Sequence, residues 1–181
     1  MPEISFESLH GIELIPLNNQ VDSRGEFSKL YDEVSTAFDH SEPISFSVSK
    51  NRRSGTIRGL HIQITPYPET KLVTCISGSI FDVILDLRPE SPTFTKWARI
   101  ELNSIRPSQL YIPPGFAHGY QTLEEDTEVA YVIWGKYSSE QSRRISFQDT
   151  ELAIYWPLEV TEISTADREA NSLRALVSEL L

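Results

Sequence analysis

Apolar residues in this chain recur mostly at every second position, over short stretches. In SIFDVILDLR (79–88), Phe81, Val83, Leu85 and Leu87 share one face of a strand, and Asp82, Ile84 and Asp86 share the other. Similar short runs predict strands at 12–17, 27–31, 44–50, 56–64, 71–76, 79–87, 96–102, 109–112, 116–123, 128–136 and 145–147. The turn signals DSRG, NRRSG, TPYP, ISGS, RPESP, IPPG and LEED fall between them. Many short strands with polar turns imply a sandwich or a closed barrel. The strand–helix alternation of a parallel sheet is missing. Helical spacing is confined to two places. DEVSTAF (32–38) predicts one short turn of helix. The tail TADREANSLRALVSELL predicts a longer one, capped by Thr165, with Asp167 and Glu169 in its first turn. Leu173, Leu176, Val177, Leu180 and Leu181 form its apolar stripe. With no repeat, low-complexity segment or linker, residues 1–181 read as one all-β domain with a docked C-terminal helix.

Composition narrows the classes. A chain of 181 residues can bury a substantial core. No run approaches the ~20 apolar residues of a membrane-spanning helix. The N-terminus, MPEISFESLHGIEL, lacks a basic region followed by an apolar block, so the cytoplasm is the default compartment. A single cysteine excludes an internal disulfide and any multi-cysteine metal site, and Cys75, inside LVTCI, reads as a buried thiol. The formal net charge of −10 argues against nucleic acid. It leaves room for a small anionic ligand in a locally basic pocket.

Several polar residues do not fit a plain core. TIRGLHIQITPYPETKLV (56–73) carries Arg58, His61 and Lys71 inside apolar runs. A buried cation without a partner is costly, so these residues face solvent at a sheet edge or converge on a site. Strict alternation sends Arg58 and His61 to opposite faces. Gly59 between them marks a bulge or a close backbone approach, which could turn both toward one cavity. Asp82 is an acid in mid-strand, either solvated on an outer face or held near His61 or Lys71. In YIPPGFAHGY (111–120), two prolines and two glycines predict a loop that presents His118. A cupin-type metal site needs histidines at i and i+2, then an acid and a third histidine. Position 63 is Gln, and His10 and His40 fall in predicted turns, so no metal site is predicted.

Taken together, DSRGEF (22–27), GTIRGLHIQ (55–63), KLV (71–73), GSIFDVILDLRPESPTF (78–94), YIPPGFAHGY (111–120), the strand with Tyr131 and Tyr137, YWPL (155–158) and ISTADR (163–168) resemble the dTDP-4-dehydrorhamnose 3,5-epimerase family. The resemblance runs along nearly the whole chain. It implies a double-stranded β-helix, or jelly roll, acting as a homodimer without metal or cofactor. The implied substrate is a nucleotide diphospho-4-keto-6-deoxy sugar, and the implied place is deoxysugar and cell-surface polysaccharide synthesis. By the same resemblance His61 is the base, Asp167 orients its imidazole, Lys71 sits by the ketone oxygen and Tyr131 returns a proton from the far face. Arg24, Arg58 and His118 would hold the diphosphate. Ser45, Ser47, Tyr137 and Asp82 complete the expected substrate-binding set.

The departures from the family gather at the nucleotide end. Ser45 and Ser47 stand where the family typically has Gln and Asn. Lys29 and Ser142 replace glutamates, and Ala166 replaces a lysine. The sequence therefore predicts a nucleotide preference relaxed or shifted from thymidine. Two other readings compete: a sugar-nucleotide 3,4-ketoisomerase, which tends to carry a second histidine where Gln63 stands, and a jelly roll that binds a sugar nucleotide without turning it over.

Overall fold

Pairing of the period-two strands builds two sheets packed face to face. The computed structural model describes residues 2–31 and 45–181. With strands numbered in chain order, the first sheet runs β1 (Glu13–Pro16), β9 (Ser108–Ile112), β6 (Thr70–Ser77), β11 (Thr127–Trp134), β4 (Ser45–Asn51). The second runs β12 (Ser142–Arg144), β5 (Thr56–Gln63), β10 (Phe116–Thr122), β7 (Ser79–Asp86), β8 (Trp97–Asn103). A short β13 (Glu162–Ile163) lies parallel to the start of β5, and β2 (Gln20–Asp22) pairs with β3 (Gly25–Phe27) as a separate hairpin. All other strand pairings are antiparallel. The result is the expected jelly roll.

The core lies in two main layers, with a smaller cluster of Leu72, Tyr111, Val132 and Trp134 on the other face of the first sheet. Between the sheets, Val73, Cys75, Leu110 and Val129 meet Ile80, Ile84, Leu102 and Phe116. Each such side chain contributes about 1.5–3 kcal/mol when fully buried. Behind the second sheet, Val83, Leu85 and Trp97 are covered by Ile145, Leu152, Leu173 and Leu176. Trp97 Nε1 donates to the Leu152 carbonyl at 2.9 Å and ties this layer down. Strand β7 is consequently buried on both faces. Its polar positions point between the sheets, so the solvated outer-face alternative for Asp82 is excluded. Asp86, on the same face, is held by Arg88, Ser91 and Thr93.

The chain departs from the sequence reading in several places. The tail is two helices, α1 (Thr165–Arg168) and α2 (Leu173–Leu180), with Ser164 and Ser172 as their N-caps. Thr165 is therefore not the cap; each serine hydroxyl accepts from the backbone N–H three residues on. The break at Asn171 lets that residue bridge to Ile145. Residues 145–147 are not a strand: Ile145 still exchanges backbone hydrogen bonds with Leu60 of β5, at 3.0 and 3.2 Å, and the chain then leaves the sheet. The strand predicted at 27–31 ends at Phe27. GIELIPL forms β1, which pairs with β9 at one edge of the first sheet. The helix predicted at 32–38 lies outside the described residues. Among the described residues, no helix is long and apolar enough to cross a membrane.

Candidate active site

The site forms where β5 is irregular. Against β10, His61 stands opposite His118 and Arg58 opposite Tyr120, so Gly59 and Leu60 of β5 together stand against Gly119. That bulge turns Arg58 and His61 into one cavity, as Gly59 suggested. Gly59 has φ +116°, and a Cβ there would lie 2.6 Å from Gly119 Cα, so neither a side chain nor another backbone fits.

Beyond the bulge, β13 runs beside Thr56 and Ile57 and delivers α1 over the strand. Asp167 is thereby brought to β5. Its Oδ1 lies 2.7 Å from His61 Nε2, and its Oδ2 accepts from the Gly59 N–H at 3.4 Å. Burial pushes the Asp167 carboxyl up, but its bonds to His61, Gly59 and Ser164 outweigh this and hold it below the usual carboxylate value. Asp167 is therefore ionised at neutral pH and can only accept, so His61 Nε2 carries the hydrogen. In the neutral imidazole the lone pair then sits on Nδ1. Arg144 adds a cation, its Nε 3.2 Å from the same Asp167 oxygen.

The opposite wall belongs to the first sheet. It presents Lys71 from β6, Tyr131 from β11 and Ser49 from β4. Lys71 is nearly buried and paired with Glu69 at 2.9 Å. The Tyr131 hydroxyl is hydrogen-bonded to Tyr120 and Ser49, and burial first, then Tyr120 and Asp82, push its pKa well above 10. A supporting chain continues from there. Asn51 Nδ2 donates to the Tyr120 hydroxyl at 3.3 Å, and Arg58 Nε donates to Asn51 Oδ1 at 2.8 Å.

His118 corrects the loop expectation. It sits within β10, is 4 % exposed, and pairs with Asp82 at 2.9 Å. Pro113, Pro114 and Gly115 precede Phe116, and from there the ladder to β7 holds the backbone extended through His118 and Gly119. Burial raises the Asp82 carboxyl, and His118 and Lys71 pull it back. Asp82 Oδ1 has no hydrogen-bond partner among the described residues.

Of the expected site residues, His61, Lys71, Tyr131, Arg58, His118 and Tyr137 line the cavity, while Asp167 and Asp82 back its histidines. Three do not. Arg24 is on the exposed β2–β3 hairpin, paired with Asp22. Ser45 and Ser47 lie on the exposed edge strand β4, and only Ser49 of that row reaches the cavity. Sequence reasoning missed Glu69, Arg144, Tyr120 and Asn51. Spacing held a signal for two of them. Glu69 precedes Lys71 by two, and Arg144 follows Ser142 by two on a strand. Cys75 is buried as expected, its thiol pushed up to about 12, chiefly by burial. Among the described residues, no three of His, Cys, Asp and Glu converge as metal ligands.

A jelly roll with a His–Asp dyad facing a tyrosine and a lysine across a cavity defines a protein built for proton transfer. The comparisons give it a family. The family model described as dTDP-4-dehydrorhamnose 3,5-epimerase matches residues 7–175, and the chain belongs to that family. A curated dTDP-4-dehydrorhamnose 3,5-epimerase from Sinorhizobium fredii is 36% identical over 167 residues, 90% of this chain and 86% of that protein. The crystal structure of the enzyme of that name from Bacillus anthracis, with TDP and PPi bound, is 37% identical with a TM-score of 0.85, covering 90% of this chain and 94% of that one. ChmJ, a 3'-monoepimerase from Streptomyces bikiniensis in complex with dTDP-quinovose, is 26% identical with a TM-score of 0.85, covering 94% and 88%.

Proposed function

We propose that this protein epimerises a nucleotide-linked 4-keto-6-deoxy sugar at C3, C5 or both. The observation that carries this reading is the His61–Asp167 pair on one sheet facing Tyr131 and Lys71 on the other. Hydrogens beside a ketone are acidic because the charge left behind spreads onto the oxygen. His61 Nδ1 takes one such proton, and the electron pair moves to the ketone oxygen. The Lys71 ammonium stabilises the enolate formed. The Tyr131 hydroxyl then protonates the same carbon from the other face, which inverts it, and its phenolate recovers a proton from water. Asp167 orients His61 and stabilises the imidazolium.

The cavity of ≈ 280 Å³ is small for a ligand site, so a sugar would fill it and the nucleotide would lie outside. A second cleft of ≈ 410 Å³ adjoins it, lined by Arg58, His61, Arg144 and Ser164 among others. Arg58 and His118 are suited to the diphosphate, and Tyr137, 69% exposed, to the mouth. Ser45 and Ser47 leave the β4 edge without long side chains, in keeping with a relaxed nucleotide preference. Calorimetry with dTDP, CDP, GDP and UDP tests this.

The protein acts as a cytoplasmic homodimer in deoxysugar and surface-polysaccharide synthesis. Arg24 keeps its expected diphosphate role only if its hairpin reaches the site of a second copy. The exposed Val21 and Phe27 beside it give that hairpin a face to bury. The test of the activity is NMR of dTDP-4-keto-6-deoxyglucose with the protein in D2O. Deuterium at C3 or C5 supports the proposal, and none at either refutes it.

A further inference from the structure

Arg144 places a guanidinium on the carboxylate of the dyad. β12 pairs with β5 so that Arg144 stands opposite His61. Alternation along this strand sends Arg143 outward to Glu179 on α2 and turns Ser142 and Arg144 inward to the cavity. Arg144 Nε lies 3.2 Å from Asp167 Oδ1, the oxygen already bonded to His61 Nε2 at 2.7 Å. Beyond this ion pair the Arg144 side chain has no partner within the described residues, so the outer edge of the guanidinium is uncommitted. That group lines both the sugar-sized cavity and the adjoining cleft, at their border. Arg58 borders the same two spaces, and its Nε is spent on Asn51.

We propose that Arg144 is a positioning and binding residue that holds the diphosphate of the ligand with one edge while its other edge moderates the charge of Asp167 on His61. This rests on the reading of His61 as the base. Its chemistry follows from the guanidinium itself, which is always charged and presents paired donors to phosphate. A cation beside Asp167 offsets part of the negative charge that the carboxylate presents to the imidazole. The other charged groups around His61 are Arg58 on its own strand, His118 on β10, Lys71 with Glu69 at β6, and Glu162 of β13 in the adjoining cleft. The hydroxyls of Tyr120, Tyr131 and Tyr137 also face it. None of these except Arg144 contacts Asp167.

The test uses Arg144→Gln and Arg144→Lys in the full chain, with two readouts. Binding of inorganic pyrophosphate, followed by calorimetry, should weaken about tenfold or more in Arg144→Gln, equal to ~1.4 kcal/mol. Arg144→Lys keeps the charge but not the paired donors, and should restore part of it. The acid limb of the pH profile for substrate deuterium exchange should move to higher pH in Arg144→Gln, because the removed cation no longer opposes the imidazolium. Unchanged pyrophosphate affinity, or an unmoved acid limb, overturns the proposal. The two variants guard against one that misfolds. The binding arm needs no turnover, so it fails independently of the epimerase reading, which stands or falls on exchange by the wild type.

Discussion

Asp167 Oδ1 meets His61 Nε2 at 2.7 Å although 106 residues separate them in the chain. The contact depends on β13, whose pairing with the first residues of β5 fixes where α1 begins. Ser164 caps that helix and Asp167 sits one turn in, over Gly59. The dyad is thus a product of strand register, and the reactions assigned to it can be tested residue by residue.

Tyr131→Phe should separate exchange from inversion. The substitution keeps the ring packed on β11 and removes only the hydroxyl bonded to Tyr120 and Ser49. The enolate still forms, and His61 returns a proton to the side it left. Deuterium uptake should persist while product of inverted configuration forms slowly. An exchange-to-inversion ratio equal to that of the wild type would show that another group, such as the Tyr137 hydroxyl or a water, is the far-face acid.

Asp86→Asn should destabilise the fold without touching the site chemistry. Asp86 is fully buried and accepts from Arg88, Ser91 and Thr93. Burial pushes its carboxyl up, but these bonds win and hold it below its usual 3.8. A lowered carboxylate adds stability that is complete above that value and fades as pH falls through the folded-state value. The loss should be about 3 kcal/mol near neutral pH, at the low end for a broken buried pair because Arg88 is partly solvated. The gap between wild type and variant in thermal unfolding should narrow below pH 3.8. A gap independent of pH would contradict the assignment.

Much of this was legible in the sequence. Strict alternation located β7, and a glycine between Arg58 and His61 signalled the bulge. Family-like spacing brought His61, Lys71, Tyr131 and Asp167 together. What was hidden depends on register. Nothing local tells that the row of Asp82 faces inward, since β7 is covered on both sides. His118 reads as a loop residue until β7 is laid beside β10. Arg144 looks like one of two solvated arginines, because a three-residue strand is too short to declare its faces. The helix break at Asn171 reflects a bridge to Ile145, a long-range contact that no propensity encodes.

Exhaustive chelation should leave activity unchanged. Gln63 stands where a second histidine would complete a cupin-type pair, and its amide is already committed to backbone. It donates to the Tyr67 and Lys136 carbonyls and accepts from the Ser138 N–H. Activity lost on chelation and regained only with a divalent ion would contradict this.

Light scattering at micromolar concentration should give the mass of a dimer. Beside the hairpin residues Val21 and Phe27, the edge strand β4 exposes Phe46 and Val48. An open apolar edge of this kind is normally covered. A monomeric mass would remove the homodimer, and with it the diphosphate role of Arg24.

The most direct test of the central claim compares deuterium uptake by wild type and His61→Ala with the same 4-keto sugar nucleotide in D2O. Every exchange begins at His61, so the variant should lose uptake at C3 and C5 together, by the roughly 10²–10⁴-fold typical of a general base. Uptake by the variant at the wild-type rate would show that the proton leaves to some other group.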